Sequence, residues 1–224
     1  WLSKFYPEDY SRIVLKMKHF PIKGYGYWVW KYCALDWLSR QFPFSTLHYA
    51  DCGHSLVDKK ATHELILKCF DECESDGAYG WKIPDCFEYE YSKSELLDFL
   101  NVNRNILESE QMDASQFFIK SEFAKDLADK VLMIYRHNFD LVLDKVRSSQ
   151  HKGFKVHRHD QSVLSLIWKE NWKLVDPSKE FKPFNHSRNI SSFDRPLLDK
   201  MRYLLFLERF FGRIEKYVKI WIHK

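Results

Sequence analysis

The stretch Lys155–Trp168, KVHRHDQSVLSLIW, sets two histidines, an arginine, an aspartate and a glutamine at the mouth of an apolar helix. His157, Arg158, His159, Asp160 and Gln161 run straight into Val163, Leu164, Leu166 and Ile167, so the spacing predicts a helix start whose polar side chains lie near a core. A carboxylate in such a place can accept from hydroxyls, stabilise developing positive charge or act as a base. A guanidinium can take an anionic group, and imidazoles can ligate a metal. The plainer alternative is a cap: Asp160 would satisfy the helix start and its dipole with no ligand at all.

Two further stretches carry candidate chemistry. In Lys23–Lys31, KGYGYWVWK, Tyr25 and Tyr27 sit on a glycine-loosened turn where they can stack on a ring or line a pocket. Trp28 and Trp30 at the following helix start read as core, and Lys31 offers a cation. In Tyr49–Gly53, YADCG, Asp51 ends a short strand and Gly53 leaves room for close backbone approach, although an isolated Asp-x-Gly is also an ordinary turn.

The elements that must position these residues alternate between helix and strand. Gly24–Leu38 reads as a turn into a helix, Thr46–Ala50 as a strand, and His63–Cys73 as a helix stopped by a turn at 75–80. Ser92–Glu95 has the S-x-x-E pattern of a capping box. Met112–Lys120 reads as a strand, 122–146 as one long helix or two, and Phe154–Val156 as a short strand. This alternation predicts an α/β fold with a mostly parallel sheet flanked by helices. Ligands bind such sheets at the carboxyl ends of the strands, so Asp51 and the 157–162 cluster are expected to face one crevice.

Composition narrows the class. The 224 residues are 45% hydrophobic and 17% aromatic, enough for a sizeable core. Five cysteines without a CxxC pair indicate neither a disulfide framework nor a zinc ribbon, and point to a reducing cytoplasm; Cys69 and Cys73 read as buried thiols. The net charge of +4 resides entirely beyond Ser192, where eight Lys/Arg face four Asp/Glu. A neutral body offers no broad basic face for nucleic acid. Residues 176–196 read as a linker or surface loop, with two N-x-S triplets at Asn185 and Asn189, and residues 197–224 as a basic amphipathic helix suited to packing or to an anionic membrane surface. No run reaches the roughly 20 apolar residues of a membrane span.

Taken in order, KGYGYWVWK, YADCG and HRHDQS resemble a group of GT-A type, nucleotide-sugar-dependent glycosyltransferases met in bacterial capsule and lipopolysaccharide gene clusters and in some large viruses. The resemblance covers roughly residues 5–175, so 1–175 is expected to be a GT-A-like domain. It implies transfer of a sugar from a nucleotide-sugar donor to a glycan or lipid-linked glycan acceptor, at the cytoplasmic side of a membrane that the tail would touch peripherally. It implies Asp160 as the catalytic residue, and Tyr25, Tyr27, Lys31, Asp51, Gly53, Arg158 and Gln161 as donor-binding, with Lys31 and Arg158 toward the diphosphate. Mn²⁺ or Mg²⁺ would be held by Asp51 with His157 and His159, and His54 is a further candidate ligand. Here the family's second acidic position is glycine, Asp-Cys-Gly, so Asp51 is open to contacting a ribose or a metal. Glu88, Glu90 and Asp113 are candidates for an acceptor-side base. The opening strand and glycine-rich turn of GT-A domains do not occur before Lys23, so that unit is expected to precede residue 1 or to be replaced. The alternative is a non-catalytic glycan- or protein-binding module on the same fold.

Overall fold

A computed structural model describes residues 1–17, 23–51, 54–56, 59–177 and 184–186. Residues 2–185 form one compact unit, to which the following refers. The expected tail helix at 197–224 lies outside the described residues, as does most of the expected linker, of which 184–186 is a short strand. Among the described residues no helix is long and apolar enough to cross a membrane.

The chain opens with helices α1 (Leu2–Phe5) and α2 (Pro7–Met17), then a single turn α3 (Gly24–Tyr27) and helix α4 (Val29–Gln41). Strands β1 (Thr46–Ala50) and β2 (His54–Leu56) precede helix α5 (Lys59–Asp76) and strand β3 (Ala78–Phe87). Three short helices, α6 (Glu88–Tyr91), α7 (Ser94–Phe99) and α8 (Arg104–Leu107), lead to strand β4 (Glu110–Lys120) and helix α9 (Ser121–His137). A 3₁₀ turn (Phe139–Leu141), helix α10 (Asp160–Trp168) and strand β5 (Phe184–His186) follow, and β2 and β5 make a separate two-stranded sheet.

The architecture is mixed α/β, but the main sheet is not the mostly parallel one that alternation predicts. Its order is β1-β4-β3, and β4 pairs antiparallel with both neighbours, Tyr49 opposite Phe117 and Gly80 opposite Phe117 on its other side. β1 and β3 therefore run parallel to each other with β4 inserted between them. The alternating pattern reads β1 and β4 as strands but passes over β3, and it carries no information on the direction in which β4 enters between them. One parallel bridge, Trp81 to Val175, extends the sheet beyond β3.

Strand β3 contradicts the turn expected at 75–80, because Gly80 looks like a breaker and is a strand residue. A Cβ there would come within 2.9 Å of Met112 Cε and 3.2 Å of the Trp168 ring, so glycine lets β4 and α10 close on the strand. No strand forms at 154–156. The amides of Lys155 and Val156 instead donate to the Glu90 carbonyl at 2.8 and 3.3 Å. The capping box is also not made: Ser92 Oγ donates to Glu88 at 2.8 Å and Glu95 receives the amide of Ser148 at 3.0 Å. β4 is buried on both faces at Phe117, Phe118 and Ile119, while α9 turns Leu127, Val131 and Ile134 inward. Cys33, Cys69 and Cys73 are buried thiols, and burial pushes Cys73 up to about 12.

One buried lysine gathers several carbonyls of the irregular run from Asn138 to His159. Lys93 is buried, and its ammonium donates to the carbonyls of Leu143 at 2.9 Å, Lys145 at 3.1 Å and Asp140. Replacing it removes the donor for three carbonyls at once. Lys93→Met is expected to cost about 3 kcal/mol, read as a lower urea midpoint, with amides of 139–147 exchanging faster; an unchanged midpoint would show the clamp to be idle.

Candidate functional site

The site begins with a strained turn. Gly24, Gly26, Tyr27 and Trp28 all have positive φ, at 50°, 79°, 56° and 63°. Two of these are aromatic residues, for which the left-handed region costs roughly 1–2 kcal/mol each. Gly24 is there because the Trp28 indole lies against it: a Cβ would fall 2.3 Å from the ring. Trp30 Nε1 donates to the Gly24 carbonyl at 3.2 Å, and the Tyr135 hydroxyl donates to the carbonyl of Tyr27. Tyr27 is buried, whereas Trp28 and Trp30 are only partly covered rather than full core residues. The side chain of Tyr25 lies outside the described residues.

This turn launches α4 with Lys31 and Tyr32 pointing inward. Lys31 is 3% exposed and its ammonium lies 2.8 Å from Asp160 Oδ2 and 3.1 Å from the carbonyl of Ala114. Tyr32, fully buried, donates to the Asp160 carbonyl at 3.3 Å and stands 3.5 Å from Oδ2; burial first, then the Asp160 charge, push its phenol well above the usual range. Asp160 is the first residue of α10, preceded by His159, and the helix start has no side-chain cap. Its carboxylate is therefore spent on a tertiary ion pair rather than on capping. Only Oδ2 is engaged: Oδ1 has no hydrogen-bond partner among the described residues.

From Lys31 the contacts continue to Asp51. The Lys31 ammonium stands 4.7 Å from the centroid of the Tyr49 ring, and the Tyr49 hydroxyl donates to Asp51 Oδ1 at 2.5 Å. The Asp51 amide donates to the Ser115 carbonyl at 2.8 Å, which fixes the strand end against β4. Asp113 accepts from the Ser115 amide at 3.0 Å and from its hydroxyl at 2.5 Å. Three stretches separated by up to 129 residues thus meet in one run of contacts, Asp160–Lys31–Tyr49–Asp51. Cys52 and Gly53 lie outside the described residues, as does the side chain of His54.

The histidines do other work than expected. His159, at φ 53°, has Nδ1 2.9 Å from the Val142 carbonyl, which requires a proton there; Nε2 then faces Asp144 at 3.1 Å and the Lys23 ammonium at 3.4 Å. Its ring meets Tyr27 edge-on at 4.9 Å. His157 is buried, accepts from the Lys93 amide at 3.4 Å through Nδ1, and is driven down to about 3 by burial and by the Lys93 and His159 charges. Among the described residues no three His, Cys, Asp or Glu side chains form a metal-holding group. Asp51, His157 and His159 are not brought into such a group: Asp51 accepts from Tyr49, His159 lies against Val142, Asp144 and Lys23, and His157 accepts through Nδ1 while its buried Nε2 has no hydrogen-bond partner among the described residues.

Arg158 stacks its guanidinium on Tyr91 at 3.8 Å and makes no ion pair among the described residues. Gln161 donates to Gln111 Oε1 at 2.9 Å. Glu88 is fully buried beneath them, accepting from Ser92, Gln111, Ser165 and Lys169, the last at 2.7 Å, so it is a structural carboxylate rather than an acceptor-side base. Glu90 pairs with Lys155 at 2.8 Å. Sequence reasoning missed Tyr32, Tyr49, Lys23 and Asp144; Lys23 and Tyr49 lie inside the quoted stretches and Tyr32 one residue beyond the first, but Asp144 sits in an irregular run with no pattern of its own.

Two expectations follow. Lys31→Met strands the Asp160 carboxylate in the interior and should cost about 3–5 kcal/mol, whereas Lys31→Met with Asp160→Leu should regain most of that; urea unfolding of the three proteins tests the coupling, and equal losses in both would deny it. His157 titrates near 6.5 when unfolded and near 3 when folded, so the unfolded state holds the extra proton between those values. The stability it contributes is complete above 6.5 and is lost as pH falls toward 3. Wild type should lose about 2 kcal/mol more than His157→Asn between pH 7 and pH 5, by urea unfolding at each pH; parallel losses would contradict the buried neutral imidazole.

Comparison with protein-family models, with curated proteins and with solved structures finds no match to this chain.

Proposed function

We propose that the chain is a glycosyltransferase of GT-A type, taking a nucleotide-sugar donor and passing the sugar to a glycan or lipid-linked glycan acceptor in surface polysaccharide, lipopolysaccharide or glycoprotein glycan synthesis. The observation that carries this reading is the meeting of three sequence motifs in the Asp160–Lys31–Tyr49–Asp51 run, with Asp160 Oδ1 left to receive a ligand. Capping explains neither feature.

In this reading the bond from the anomeric carbon to the diphosphate oxygen breaks, its electron pair leaving with the diphosphate. An acceptor hydroxyl oxygen bonds to that carbon, and its proton passes to the departing diphosphate oxygen. Asp160 Oδ1 accepts from a donor-sugar hydroxyl and stabilises positive charge at the anomeric centre, while Lys31 and Tyr32 hold the carboxylate still through Oδ2. Gln161, turned by Gln111, adds a second sugar contact. Arg158, flat against Tyr91, meets the diphosphate; Lys31 is too committed to Asp160 to serve it and acts as a positioning residue. Tyr27 walls the pocket and Asp51 receives the ribose. The reading sets the enzyme on the cytoplasmic face of a membrane, docked by residues 197–224.

The test is release of nucleoside diphosphate from a panel of UDP-, GDP- and CMP-sugars offered with oligosaccharide acceptors, CMP release being scored for the last. Asp160→Asn should lower turnover per folded molecule at least 100-fold, at a temperature where circular dichroism shows the variant folded. Turnover unchanged per folded molecule would sink the assignment. Nucleotide-dependent melting shifts without turnover of any donor would favour a non-catalytic module.

A further inference from the structure

A cleft of about 400 Å³ opens on the far side of the Tyr27 turn, between α2, the C-terminal end of α9 and the run from Asn138 to Arg147. Three guanidinium groups line it, those of Arg12, Arg136 and Arg147. Each has donors to spare. Arg136 gives Nε and Nη2 to Asp9 at 2.9 and 2.8 Å, and its Nη1 remains. Arg147 gives only Nη2 to Asp140, at 2.7 Å, leaving Nε and Nη1. Arg12 gives Nη1 to the Arg136 carbonyl at 3.0 Å and approaches Glu8 no closer than 4.0 Å.

With Asp9 and Asp140 as its lining carboxylates, the cleft holds three cations against two anions. The Lys93 ammonium adds another positive charge behind the wall, on the carbonyl of Asp140. The Arg147–Asp140 pair is about half exposed at both ends, 58% and 49%, and such pairs contribute little to stability. A ligand oxyanion can therefore take over the Arg147 fork at small cost, and a planar fork suits phosphate and carboxylate oxygens. Phe139 gives the cleft an apolar ring and reaches past it, packing edge-on against Tyr27 at 6.0 Å.

We propose that this cleft binds an oxyanion, the phosphate or carboxylate of an anionic acceptor. The acceptor role rests on the transferase reading; the oxyanion site does not. The experiment titrates the whole chain with inorganic pyrophosphate, a hyaluronan hexasaccharide and neutral chitohexaose, by calorimetry at low and at 0.3 M salt. Binding of pyrophosphate, of the hyaluronan oligosaccharide or of both, weakened by salt and reduced at least fivefold in Arg147→Gln and in Arg12→Gln, is expected. Pyrophosphate alone identifies a phosphate-bearing ligand, and the hyaluronan oligosaccharide alone an acidic glycan. No binding of either anion, equal binding of chitohexaose, or affinity unmoved in both variants overturns the proposal. Neither variant touches Asp160 or Lys31, so anion binding that survives where no nucleotide-sugar turns over would remove the transferase reading and leave the oxyanion site standing.

Discussion

An ammonium and a carboxylate withdrawn from water must answer each other, and the Lys31–Asp160 pair imposes that condition on everything around it. Each charge would cost several kcal/mol alone, and even paired they require good geometry and further hydrogen bonds. The carbonyl of Ala114, the ring of Tyr49 and the hydroxyl of Tyr32 supply these. Because those groups come from β4, β1 and α4, a single buried pair ties the start of α10 to the central strand, its edge neighbour and the first long helix. Apolar residues of equal volume would do the same packing at lower electrostatic cost. The pair engages only one carboxylate oxygen, and Oδ1 has no hydrogen-bond partner among the described residues.

Backbone strain gathers around the same place. Tyr27, Trp28 and His159 are non-glycine residues at positive φ, and the His159 ring meets Tyr27 edge-on at 4.9 Å and stacks near Trp28 at 6.1 Å. Such conformations persist only where surroundings over-determine them. Here Gly24 receives the Trp28 indole, Tyr135 holds the Tyr27 carbonyl, and Val142 accepts from Nδ1 of His159 while Lys23, paired with Asp144, faces its Nε2. The run that supplies Val142 and Asp144 is itself pinned by Lys93, which links a buried lysine outside the site to the direction in which Asp160 points.

How far the sequence could be read differs between site and sheet. Asp160, Lys31 and Asp51 stand out because charged residues interrupt apolar patterns, and a side chain that breaks a local pattern needs a tertiary partner. The partners themselves were not legible: that Lys31 meets Asp160 depends on the tertiary fold bringing α4 to the start of α10 beside Ala114 of β4. Imidazole chemistry is the same in a metal site and in a packed core, so the sequence offers no view of the contacts that His157 and His159 make with the Lys93 amide and the Val142 carbonyl. For the sheet, Thr46–Ala50 and Met112–Lys120 read correctly as strands, since β-branched and aromatic residues cluster there. Strand β3 hid behind Gly77, Gly80 and Pro84, and strand direction is a long-range property that local periodicity does not encode.

The antiparallel insertion of β4 has its own consequence for the site. Pairing β4 with β1 from Lys120–Thr46 to Gln116–Ala50 carries the Asp51 end of β1 beside Ser115 and Asp113, the residues next to the Ala114 carbonyl that receives Lys31. A one-residue slip of that register would turn Tyr49 to the opposite face and cut the run between Lys31 and Asp51. Register, not proximity in sequence, therefore brings the two carboxylates into one neighbourhood. On the other side of the Tyr27 turn, Tyr135 and Phe139 wall the arginine-lined cleft while holding Tyr27 by its carbonyl and its ring. Phe139 thus connects the cleft through the Tyr27 ring to His159, one residue from Asp160.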